Sequence, residues 1–134
     1  MSHAIAEKHP QQRILLITAS DPYDFRTETT QIMDELCTML GSITDTTYVI
    51  YDIRNLSIHF SSIIDAVAGF ARPNNEFDKQ LDKYGRMILV GAGTLVNVGA
   101  KTAARFSPEK PLLVFNTPEE ALNHAQAELA KQLH

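Results

Sequence analysis

The segment Tyr51-Asp52-Ile53-Arg54-Asn55-Leu56-Ser57-Ile58-His59-Phe60-Ser61-Ser62-Ile63-Ile64 gathers a carboxylate, a guanidinium, an amide and several hydroxyls where a strand gives way to a helix. A helix that starts near Ser61 and Ser62 leaves its first backbone N–H groups unpaired and turns the positive end of its dipole toward those hydroxyls. Such a corner suits a phosphate or an anionic group of a partner. The plainer role is capping, with Ser61 or Ser62 as N-cap and Asp65, three residues after Ser62, closing a capping box.

Other constellations are weaker. Gly91-Ala92-Gly93-Thr94-Leu95-Val96 imitates a phosphate-binding turn, but Val96 stands where the dinucleotide fingerprint needs its third glycine, and no Lys-Ser/Thr pair completes a P-loop. Asp52 at a strand end, with Asp21, Thr94 and Lys110-Pro111, suggests the alternative of a receiver-like phosphoacceptor. That chemistry needs clustered acids to hold a divalent cation, and here strand one ends in Ser20-Asp21 while Lys110-Pro111 precedes the last strand. No two of His3, His9, His59, His124 and His134 stand at metal-ligand spacing. Cys37 sits at helical spacing beside Met33 as a small core residue, and His124 lies four residues after Glu120 as a surface pair. None of these patterns requires catalysis, a metal or a cofactor, and none is expected.

The elements that must hold the junction follow from hydrophobic period. Arg13-Ile14-Leu15-Leu16-Ile17-Thr18-Ala19 and Thr47-Tyr48-Val49-Ile50-Tyr51 are apolar or β-branched throughout, as strands covered on both faces must be. Arg86-Met87-Ile88-Leu89-Val90 and Leu112-Leu113-Val114-Phe115 supply two more. Helical stripes lie between them: Ile32, Leu36, Met39 and Leu40 before Gly41, then Ile63, Ile64, Val67 and Phe70, then spaced apolar positions from Leu95 to Phe106. Thr117-Pro118 with Glu120 caps a last helix that offers Leu122, Ala125, Leu129 and Leu133 to the core. Four strand-helix units in alternation predict an α/β domain with a mostly parallel four-stranded sheet and right-handed crossovers. The loops at the C-terminal ends of these strands then bring Asp21, Tyr23 and Asp24 to the same edge as Asp52, Arg54, Asn55, Ser57, Ser61 and Ser62, with Gly93 and Thr94 beside them.

Composition sets the outer bounds. The 134 residues form one domain over 13–134, preceded by a flexible N-terminal tail over 1–12 that lacks any period. Hydrophobic residues make up 44% and charged residues 21%, in the range of a globular protein, and the net charge of −4 with scattered Lys and Arg argues against nucleic acid. No apolar run approaches the roughly 20 residues of a membrane span, and no signal-peptide pattern opens the chain, so a cytoplasmic protein without a membrane partner is expected.

At these residues the chain resembles the SpoIIAA-like branch of the STAS superfamily, named for sulfate transporters and anti-sigma factor antagonists. The family motif runs roughly Asp-Leu-x-x-Leu-Ser-Phe-x-Asp-Ser-Ser-Gly, and Asp52-Ile53, Leu56-Ser57-Ile58 and Ser61-Ser62 match it without a gap. The close of the chain, Val114-Phe115-Asn116-Thr117-Pro118-Glu119-Glu120-Ala121-Leu122, resembles the end of many short members. The resemblance implies a right-handed βα superhelix and a non-enzymatic regulatory role in partner switching. Its implied partner is another protein, by analogy a kinase that is also an anti-sigma factor, with phosphorylation falling on Ser61. Phe60 replaces the family's acid before the serine pair and Ile63 the glycine after it, so the phosphoserine site is degenerate. Other readings of the layout are a small-ligand or lipid-binding α/β domain, given an apolar cavity between helices, and a homodimer through the helix of Ile63, Ile64, Val67, Phe70 and Ala71.

Overall fold

The computed structural model describes residues 4–9, 12–21, 27–56, 79–80, 83–91, 97, 101 and 113–132. In chain order these form β1 (Ala4–Lys8), β2 (Ile14–Ser20), α1 (Thr27–Leu40), β3 (Thr47–Asn55), β4 (Gly85–Val90), β5 (Leu113–Phe115) and α2 (Pro118–Gln132). The helix expected near 62–71 falls outside the described residues; of the one expected over 95–106, Asn97 and Lys101 are described, and both are helical.

The strands make one five-stranded sheet in the order β1-β2-β3-β4-β5. From β2 to β5 every neighbouring pair is parallel, and β1 is added antiparallel at the edge, with Ala4 opposite Ala19 and Lys8 opposite Leu15. The expectation of four strands behind a frayed tail is corrected here. Residues 4–8 are too short and too mixed in character to show a strand period alone, but β2 offers them an open edge. His9 N–H donates to the carbonyl of Ile14 at 2.9 Å and closes the hairpin.

Side chains alternate across β2, β3 and β4, which accounts for the unbroken apolar runs. Leu15, Ile17, Val49 and Tyr51 face Ile32 and Leu36 of α1. The intervening Ile14, Tyr48, Ile50, Ile88 and Val90 face Ala121, Ala125 and Leu129 of α2 on the opposite side. Ala121 and Ala125 are fully buried; their small side chains let the α2 backbone lie close to the sheet.

Helix α1 carries the expected stripe and stops before Gly41, as the sequence predicts. Gly41 has φ 70°, and its N–H donates to the Cys37 carbonyl at 2.8 Å, the left-handed termination that glycine adopts without a Cβ penalty. Cys37 is half-buried against the α1-side core. Met39, counted in the apolar stripe, lies in the last turn and is 39% exposed. At the start of α2, the Glu120 N–H donates to Thr117 Oγ1 at 3.2 Å and the Thr117 hydroxyl donates to Glu120 Oε1 at 3.2 Å. His124, expected as a surface partner of Glu120, instead packs edge-on to Tyr48 with ring centroids 6.4 Å apart and lies 5.4 Å from the Phe115 ring.

Candidate functional site

The C-terminal ends of β2 and β3 meet where Asp21 N–H donates to the Asn55 carbonyl at 3.4 Å, beyond a register shift between Thr18 and Ser20. The strand then turns: the Leu56 N–H reaches back to the Ile53 carbonyl at 3.1 Å. Three residues of the expected edge, Asp52, Arg54 and Asn55, therefore lie at the end of the central strand, with Asp21 beside them. Ser57, Ser61, Ser62, Asp24 and Thr94 fall outside the described residues.

Asp52 and Arg54 are two apart on one strand, so both side chains rise from the same sheet face. The sheet continues on both sides of Asp52, which is opposite Thr18 and Val90, whereas Arg54 lies past the last residue of β4. Hence the carboxylate is buried, at 4% exposure, and the guanidinium reaches out, at 45%. Arg54 Nε donates to Asp52 Oδ1 at 3.0 Å and Nη2 to Oδ2 at 2.9 Å, a planar fork on a planar acceptor. The Arg54 N–H adds a third bond to Oδ1 at 3.1 Å. Asp52 thus plays the strand-end role of accepting a backbone N–H from the next turn, and it also orients a cation.

The hydrogen bonds to Asp52 hold the Arg54 guanidinium above its ordinary pKa against some desolvation, with the charges of Asp52 and of Glu119 in the first turn of α2 acting in the same direction. Arg54 is accordingly a permanent cation whose direction is set from below. The i, i+2 spacing of opposite charges at the end of an apolar strand was the sequence signal for this pair, and it passes unnoticed when Asp52 and Arg54 are considered singly. A receiver-type phosphoacceptor needs its carboxylate turned to a cation and to solvent, but both Asp52 oxygens are engaged by Arg54. Among the described residues no group of three or more His, Cys, Asp or Glu is placed to hold a metal ion. No described helix is long and apolar enough to cross a membrane.

No family model matches the chain, and no curated protein matches it. Among solved structures, it is similar to an uncharacterized protein of the DUF3478 family with a SpoIIAA-like fold from Shewanella loihica PV-4, with a TM-score of 0.58 and 17% identity over 90% of each chain. At that identity the likeness is one of architecture, and it agrees with the motif at Asp52 to Ser62: this chain has a SpoIIAA-like α/β fold.

Proposed function

We propose that the protein is a non-enzymatic STAS-like domain that binds another protein through the edge running from Arg54 toward Ser62. The observation that supports this reading is the Asp52–Arg54 clasp. A buried carboxylate spends its hydrogen-bonding capacity on holding one half-exposed guanidinium in a fixed direction at the rim of the sheet. Prepaying the ordering of a long side chain favours recognition of an acceptor on a partner, because less rotamer freedom is lost on docking. A finer proposal, from the family motif, is partner switching with a degenerate phosphoserine site at Ser61.

Affinity capture from the cells that make the protein tests the first part, run with the natural sequence, Arg54→Ala and Ser61→Asp. Loss of the same partner from both variants is expected, and identical captures from all three would refute this edge as the binding surface. Peptide mapping of the native protein by mass tests the second part. A phosphate on Ser61 would add about −1.5 to −2 charge at neutral pH, and full occupancy by the unmodified peptide under every growth condition would remove the switch.

A further inference from the structure

We draw no further inference here: the strongest candidate, the surface patch at the β1 margin of the sheet where Ile5 stands 63% exposed on the same face as half-buried Leu16 of β2, carries nothing, because nothing in the structure shows what covers it.

Discussion

Asp52 and Tyr48 show how the environment of one side chain decides its contribution. The Asp52–Arg54 pair is neither a surface pair, worth up to about 1 kcal/mol, nor a fully buried one, because only the carboxylate is enclosed. Asp52→Ala removes three hydrogen bonds to an ionised acceptor. It is expected to lower unfolding stability by about 1–3 kcal/mol, read from the midpoint of urea denaturation; a loss under about 0.5 kcal/mol would mark the clasp as incidental. Arg54→Lys keeps the charge but not the fork, and should recover only part of the difference. Four positions before Asp52 on the same face, burial raises the Tyr48 hydroxyl above its ordinary pKa, with Glu128 adding to the shift and Arg86 and Lys131 opposing it. The folded state then keeps a proton that the unfolded chain releases, so this group is without effect below about pH 10 and costs stability as pH rises above it. Tyr48→Phe, which retains the ring against His124, should lose less stability than the parent protein between pH 9 and 11 in parallel urea titrations.

At the scale of elements, the two ends of the helices separate backbone strain from capping. Nothing lies within 4 Å of a Cβ built on Gly41, so Gly41→Ala meets no neighbour and its cost is the left-handed backbone alone, about 1–2 kcal/mol. Gly41→Asn should cost less, since Asn tolerates that region better. Thr117→Ala forfeits the reciprocal bonds with Glu120 and should cost about 1 kcal/mol; thermal melts of the three variants check both figures. These ends were legible in the sequence because each depends on residues within four positions of one another. The alternation of Ile14, Leu15, Leu16 and Ile17 announced a strand covered twice, but not which helix covers which face, since that depends on contacts distant in the chain. His124 illustrates the same limit. Its spacing from Glu120 indicated a surface pair, whereas Tyr48 and Phe115, brought from two strands, claim the ring. The candidate edge was legible as a set of polar strand ends, while the clasp within it required knowing that β4 stops at Val90, opposite Asp52.

For the molecule as a whole, the strand absent from the sequence reading has the largest consequence. Among the described residues the parallel strands β2 to β5 follow one another without a reversal of order, so these strands form no central switch-point crevice of the kind at which doubly wound folds bind ligands, and binding is sought at strand ends and sheet margins. At one margin, β1 occupies the hydrogen-bonding edge of β2, a strand whose Leu15 and Ile17 belong to the core. Apart from Ala4 and Ala6, β1 contributes little to that core, and Ile5 is 63% exposed. Its energetic return is mainly backbone pairing, net of the entropy of ordering five residues. Removal of residues 1–8 should therefore cost only about 1–2 kcal/mol, a fall in Tm of about 3–8 °C, and leave a folded protein by circular dichroism. The larger effect should be on association: an unpaired β2 presents a flat template for pairing with a second chain. Size-exclusion chromatography with light scattering is expected to show concentration-dependent dimers or larger species in the truncated protein beyond any in the full chain. A truncated chain that associates no more than the full one would mean that the β2 edge is protected by something other than β1.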